Sequence, residues 1–385
     1  MNTRKIKSID ALEEYRSKED KTELNLTLLG ITNIEIIDFV IPFLEKNKEI
    51  KTLNINCNKG CDEGIKAFAE NNTTITTLYT GGNNLNIKTV KALIANNTIT
   101  ALYIPANNLD DDGINVLANS KTIKTLDVSE NNFSTKGTKA LANNKIIKVL
   151  GVNKNKLGDD EIEILAESST ITTLEARMNN FGVKGAKALA NNKTINDLDV
   201  SNNNFGDDVI KALSASETIT TFYAINSNFG DEGAKALANN QKINKFRITS
   251  KNIGEEGIIA FSKNTEIRRV DFEESQYPTS YVSIDNNTQL TGIFIINTQQ
   301  ISEKCVKAFA TPARRINYYS REENTSLSKA LLEKNPYKCM QNALNAGVKP
   351  ETVPVPTLKS LCLFKVENTP ELNMDSLPQE LKRRN

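Results

Sequence analysis

The sequence predicts an α/β solenoid, and three observations predict it. Leu126-Asp-Val-Ser-Glu-Asn131-Asn-Phe133 returns as near copies that begin at Leu150, Leu174 and Leu198, a step of 24 residues each time. Each copy opens apolar-x-apolar, the alternation of a strand that buries every second side chain. Each is followed by Ala and Leu at helical spacing, as in Gly137-Thr-Lys-Ala140-Leu141-Ala142. A fixed period of about 20–50 residues marks stacked repeats, because one such unit cannot close a core alone.

Composition is consistent with a long, thin stack. The chain has 385 residues and a hydrophobic content of 38%. Its 48 basic and 47 acidic residues nearly cancel, so bulk charge gives no case for nucleic acid or an anionic membrane. No apolar run is long enough to span a bilayer. The opening ten residues lack an apolar core, so no secretory signal is expected. The five cysteines, Cys57, Cys61, Cys305, Cys339 and Cys362, are sparse and odd in number, which points to free thiols in a reducing compartment. Histidine is absent, which removes His-based triads and His metal ligands and lowers the expectation of an enzyme. No phosphate-binding loop or metal motif is present, and no cofactor is expected.

Residues 1–49 are expected to form an N-terminal cap and an irregular first repeat. Ser8 can cap a short amphipathic helix carrying Ile9, Leu12 and Arg16, which would cover the open end of the stack. Leu24-Asn-Leu26 reads as a first strand. Thr32-Asn-Ile-Glu35 spells a capping box, and the helix behind it should turn Ile36, Ile37, Val40, Phe43 and Leu44 inward.

Residues 50–310 form the regular array. Strand leucines fall at Leu53, Leu78, Leu102, Leu126, Leu150, Leu174 and Leu198, and the slot then passes to Phe222, Phe246 and Val270. A weaker last copy lies around Ile293 and Ile295. The helical halves allow about two and a half turns. A glycine ahead of the helix recurs at Gly64, Gly113, Gly137, Gly185, Gly233 and Gly257.

Asn58, Asn83, Asn107, Asn131, Asn155, Asn179 and Asn203 share one slot. Their amides should bond to backbone in their own repeat and its neighbour, as a buried ladder. The slot becomes Ser227, Lys251 and Ser275, so the ladder should run down and the packing loosen toward the C-terminal side.

These L-x-L-x-x-N strands and G-x-x-A-L-A helices resemble the ribonuclease-inhibitor type of leucine-rich repeat over about residues 50–310. Their length is similar to that of the short repeats in bacterial effectors delivered into host cells. The resemblance implies parallel strands on a concave face and short helices on a convex one. Helices are about 10 Å wide and strands about 4.8 Å apart, so such a stack curves into a horseshoe. It also implies a monomer that binds a protein partner, in the cytoplasm or after delivery into a host cell.

A partner would meet the outward strand positions. One column reads Asn54, Tyr79, Tyr103, Asp127, Gly151, Glu175, Asp199, Tyr223, Arg247 and Asp271. Its neighbour reads Thr52, Thr77, Ala101, Thr125, Val149, Thr173, Asp197, Thr221, Lys245 and Arg269. Tyr79 and Tyr103 make an aromatic patch. Asp127, Glu175, Asp197 and Asp199 make an acidic middle, and Lys245, Arg247 and Arg269 a basic end. Tyrosine and arginine dominate interface hot spots, which singles out Tyr79, Tyr103, Tyr223 and Arg247 as anchors.

Residues 311–385 read as a small α-helical C-terminal domain. Thr311-Pro312 breaks the last repeat helix, and helices are expected over Ser326 to Lys334 and from Pro336 to near Gly347. Thr357-Leu358-Lys-Ser-Leu361-Cys362-Leu363-Phe364-Lys-Val366, followed by Leu377-Pro378-Gln-Glu-Leu381-Lys382, resembles a SOCS box. That resemblance implies Leu358 and Cys362 inserting into elongin C, and Leu377 and Pro378 addressing a cullin in a ubiquitin ligase. A plain apolar cap over the array is the competing reading of the same residues. A third possibility is an enzyme with a catalytic cysteine in this domain. Neither Cys339 nor Cys362 has the acidic residue two positions on that bacterial repeat-linked ubiquitin ligases carry. The expected function is therefore non-enzymatic protein binding through the concave face.

Overall fold

The computed structural model describes residues 22–254, most of 256–264, and short strands at 269–273, 281–283, 294–295 and 317–318. The chain divides into two compact units. The described part of the first holds residues 22–203 and 216–219, and the second holds 204–215 and the described residues from 220 onward.

The described part of the first unit contains eight strands of three residues. They are β1 (Glu23–Asn25), β2 (Thr52–Asn54), β3 (Thr77–Tyr79), β4 (Ala101–Tyr103), β5 (Thr125–Asp127), β6 (Val149–Gly151), β7 (Thr173–Glu175) and β8 (Asp197–Asp199). They pair in parallel and in chain order, with the leucine of each strand opposite the leucine of the next. Parallel neighbours need a crossover between them, and here it is a helix. The first, α1, runs through Asn33–Glu35, a π-wound stretch Ile36–Val40, and Ile41–Lys46. The others are α2 (Asp62–Asn71), α3 (Ile87–Ala95), α4 (Asp111–Ala118), α5 (Thr135–Asn143), α6 (Asp159–Ala166) and α7 (Val183–Asn191).

Three columns of side chains build the core. One is the strand leucines. The second is the isoleucine three residues before each, from Ile50 through Ile75, Ile99, Ile123, Ile147 and Ile171 to Ile195. The third is the helix leucines Leu93, Leu117, Leu141, Leu165 and Leu189. All are at most 1% exposed.

The capping box at Thr32 is present: its hydroxyl accepts from the Glu35 N–H, and the Glu35 carboxylate accepts from the Thr32 N–H at 2.9 Å. Ile36, Val40, Phe43 and Leu44 are buried as expected, but Ile37 is 43% exposed. Ile36 stacks with residues three and four positions apart on one face. Ile37 follows about 100° further round the helix and misses that face.

The recurring glycines are not ahead of the helices but inside their first turns. Gly64, Gly113, Gly137 and Gly185 are each the third residue of α2, α4, α5 and α7. At two of them the reason is an aspartate from the preceding helix. Asp111 Oδ1 accepts from the N–H groups of Ser134 and Gly137, both at 2.8 Å. Asp159 Oδ1 accepts from Gly182 and Gly185, both at 2.7 Å. A Cβ on Gly137 would lie 2.8 Å from Asp111 Oδ1, and one on Gly185 3.0 Å from Asp159 Oδ1.

From α2 to α7 the helices are thus joined in twos. At the other end, Asn144 at the close of α5 donates to the Ala118 carbonyl that ends α4, at 2.7 Å, and Asn192 after α7 does the same to Ala166 of α6 at 2.8 Å. In α2 and α3 the same roles fall to Asp62, which accepts from the Asn86 N–H at 2.9 Å, and Asn96, which donates to the Ala69 carbonyl at 2.9 Å. These bonds satisfy groups that every helix end leaves without an internal partner. The next junctions lack both devices. The first residues of α3 and α5 are Ile87 and Thr135, with no carboxylate to offer. Ser120 and Ser168 stand in the asparagine slot and their hydroxyls accept only from their own turns.

In the second unit, β9 (Thr221–Gly230), β10 (Lys245–Asn252) and β11 (Arg269–Glu273) pair in parallel, and β12 (Tyr281–Ser283) pairs antiparallel with β11. A further parallel pair joins β13 (Phe294–Ile295) to β14 (Asn317–Tyr318). Helices α8 (Asp207–Leu213) and α9 (Asp231–Asn239) are linked by the same devices, Asp207 Oδ1 accepting from Gly230 and Gly233 and Asn240 donating to the Ser214 carbonyl. Here the links run on, since Asp231 Oδ1 accepts from Gly254 and Gly257 and Asn264 donates to the Ala238 carbonyl.

The asparagine ladder is present in the first unit. Asn131 Oδ1 accepts from the N–H groups of Asn107 (3.1 Å) and Leu109 (2.9 Å), while its Nδ2 donates to the carbonyls of Val128 (3.0 Å) and Ile104 (3.3 Å). The sharp departure from each strand is made by the residue before the ladder position, held at positive φ in Ala106, Glu130, Lys154 and Met178. Where the slot becomes Ser227 the ladder stops, and the hydroxyl is buried with no hydrogen-bond partner among the described residues. The consequence differs from simple loosening. Without an amide to take up the backbone groups, backbone pairs with backbone, and three-residue strands lengthen to the ten of β9 and eight of β10.

Candidate protein-interaction face

The strand register puts the expected column on one face of the first unit: Asn25, Asn54, Tyr79, Tyr103, Asp127, Gly151, Glu175 and Asp199 lie opposite one another in succession. These residues alternate with core leucines, so they point away from the core.

Tyr79 and Tyr103 stack with ring centroids 4.3 Å apart and planes 11° from parallel. The strand spacing sets that distance, since the two residues are register partners. Both rings are half-buried. Burial, the neighbouring Tyr79 hydroxyl and then the Glu175 and Asp127 carboxylates push the Tyr103 hydroxyl up to about 12.

The acidic middle is partly committed. Asp127 accepts from the Ser129 N–H at 2.9 Å and from its hydroxyl. Asp199 is 7% exposed and accepts from the Ser201 N–H at 2.9 Å. Between Glu175 and Asp199 stands Arg177, its Nε donating to Asp199 Oδ2 at 2.7 Å and its guanidinium 3.9 Å from Glu175. Arg177 belongs to a third column, with Asn153 and Ser129, two residues past the column of Asp127, Gly151 and Glu175, which reading only the strand positions leaves out. Its signal was the same 24-residue spacing carried two residues further: Ser129, Asn153, Arg177 and Ser201.

Burial pushes the Asp127 carboxyl above its ordinary range, against the hydrogen bonds from Ser129. A carboxyl raised in the folded state contributes stability that is present below its unfolded pKa and lost as pH rises through the folded one. Asp127→Asn is therefore expected to remove that loss, so that the variant's urea midpoint, compared with the parent chain's, gains more at pH 7 than at pH 4.

In the second unit, Tyr223 is the register partner of Arg247, and Lys245 holds its ammonium 5.8 Å from the Tyr223 ring centroid. The backbones of Arg269 and Asp271 continue their two columns in β11. The expected elongin and cullin residues Leu358, Cys362, Leu377 and Pro378 lie outside the described residues, as does the capping helix at Ser8.

Among the described residues no group of His, Cys, Asp or Glu could hold a metal ion, and no helix is long and apolar enough to cross a membrane. Cys57 and Cys61 are free thiols. Cys57 is exposed, and Cys61 is buried, which pushes its thiol up to about 12 and leaves it inert as a nucleophile.

A family model described as leucine-rich repeat matches residues 119–142 and 191–214, so the chain carries leucine-rich repeats. No curated protein matches the sequence. Repeats of this class typically serve protein–protein interaction rather than catalysis.

Proposed function

We propose that the chain is a protein-binding module whose contact residues stand on the strand face of the first unit, with Tyr79 and Tyr103 as anchors. The observation that supports this is the stacked tyrosine pair, two large rings placed on an outward column rather than in the core. Rings of this kind bury much area with few rotamers to freeze, which is why they carry a large share of interface energy. Asp127 and Glu175 stand on the Tyr103 side of the pair and supply polar contacts. In the second unit, Tyr223 and Arg247 pair an aromatic ring and a cation on neighbouring strands.

The test is affinity capture from a cell lysate with the intact chain beside a Tyr79→Ala, Tyr103→Ala double variant. The variant should lose a specific partner by at least about tenfold, the loss of one modest hot spot, while its circular dichroism is unchanged. Recovery of the same proteins by both chains would remove the face from consideration.

A further inference from the structure

We infer that the face of the first unit is built to seat a guanidinium, so that the partner presents an arginine between the Tyr103 ring and the carboxylates of Asp127 and Glu175. This rests on the proposed binding role of the same face and names the chemistry of the partner.

The argument starts from Gly151. It is the one position in the column from Asn54 to Asp199 without a side chain. The Asp127 carboxylate leans over it: a Cβ on Gly151 would lie 2.7 Å from Asp127 Oδ1. Ser129 holds the carboxylate there through its N–H and hydroxyl. Asp127 therefore bends toward β6 and away from Tyr103, its register partner on β4. One face of the Tyr103 ring is covered by Tyr79 at 4.3 Å. The other faces the strand from which the Asp127 side chain has withdrawn. A flat group entering there continues the stack at the same spacing, and arginine is the flat cation that pairs with both ring faces and carboxylates.

Charge agrees. Arg177 is bonded to Asp199 at 2.7 Å, lies 3.9 Å from Glu175 and also acts on Asp127, so one guanidinium is shared among three carboxylates. Asp127 has no ion pair among the described residues, and Asn153 offers Glu175 only a long contact at 3.4 Å. Three carboxylates against one guanidinium leave an acidic surplus beside the ring. Carboxylates beside an aromatic face fit a cation and repel an anion.

The test uses the full chain, with Gly151 and Tyr103 amide resonances followed by NMR. It is titrated with the capped peptide Gly-Gly-Arg-Gly-Gly and with versions carrying Lys, Gln or Glu at the centre. The arginine peptide should shift both resonances saturably and at least tenfold more tightly than the glutamine peptide, with lysine between them. The Asp127→Asn, Glu175→Gln double variant should lose that preference. Asparagine keeps the oxygen that Ser129 bonds, so the fold is retained. Gly151→Ala should also weaken the arginine peptide, because its methyl drives the carboxylate back toward Tyr103. Equal shifts from the arginine and glutamine peptides, or an arginine preference that survives the double variant, would overturn the assignment. A captured partner that needs Tyr79 and Tyr103 but ignores the Asp127/Glu175 substitutions would overturn the guanidinium seat while leaving the binding face in place.

Discussion

Asn131→Ala is expected to destabilise the first unit by about 3–5 kcal/mol, whereas Ser227→Ala at the same repeat position should change stability by less than about 1 kcal/mol, in either direction. Asn131 satisfies two buried N–H groups, those of Asn107 and Leu109, and donates to the carbonyls of Ile104 and Val128. Alanine leaves the two N–H groups unsatisfied in a space closed to water, while the carbonyls of Ile104 and Val128 keep the amides of Asn107 and Asn155. Each buried group left unsatisfied costs about 1–3 kcal/mol. Two such groups sum to about 2–6 kcal/mol, and the expected loss lies in the middle of that range. The Ser227 hydroxyl bonds to nothing among the described residues, so removing it removes a cost rather than a bond. Urea unfolding followed by far-ultraviolet circular dichroism separates the two. Equal effects at the two positions would mean that the ladder contributes through side-chain volume alone.

The second large effect is expected at Gly137. In an exposed helix, Gly→Ala stabilises by about 1 kcal/mol through helix propensity. Here the sign should reverse, with a net loss of about 1–3 kcal/mol, the range seen when a packed site is overfilled. The new methyl would sit 2.8 Å from Asp111 Oδ1, 3.0 Å from Phe133 Cβ and 3.3 Å from Ile114 Cβ. The carboxylate can swing away only by releasing the N–H groups of Ser134 and Gly137, and a lost helix cap costs about 1 kcal/mol on its own. The propensity gain cannot offset both. Gly137→Ala in an Asp111→Ala background should cost less than in the parent chain, because the bonds are already gone. A stabilised single variant would show that Asp111 is not held in place.

The strand register, the core leucines and the asparagine ladder were legible because each is a strict periodicity of one residue type. The capping box at Thr32 was legible because its two partners lie three residues apart. What lay between repeats was harder to read. Arg177 falls outside the two strand columns, and its partner Asp199 is 22 residues away. The glycines were placed too early because the sequence shows where a side chain is missing, not what fills the space. At Gly137 it is an aspartate 26 residues back. Ile37 was misplaced because a run of apolar residues does not say where the helix face begins. At Ser227 the loss of the amide was visible, but not that longer strands would take up its work.

The joining of helices in twos bears on how such a chain can change length. Gene duplication copies whatever segment it happens to span. A copied stretch of two repeats, 48 residues from one aspartate-bearing helix to the next as in Asp111 to Asp159, reproduces both the aspartate and the asparagine devices with partners in place. A copied single repeat sets two helices of one kind side by side and leaves the pattern of end bonds out of phase at the junction. Length therefore grows most smoothly in double steps, and the natural unit of inheritance in this part of the chain is twice the period that the eye first finds.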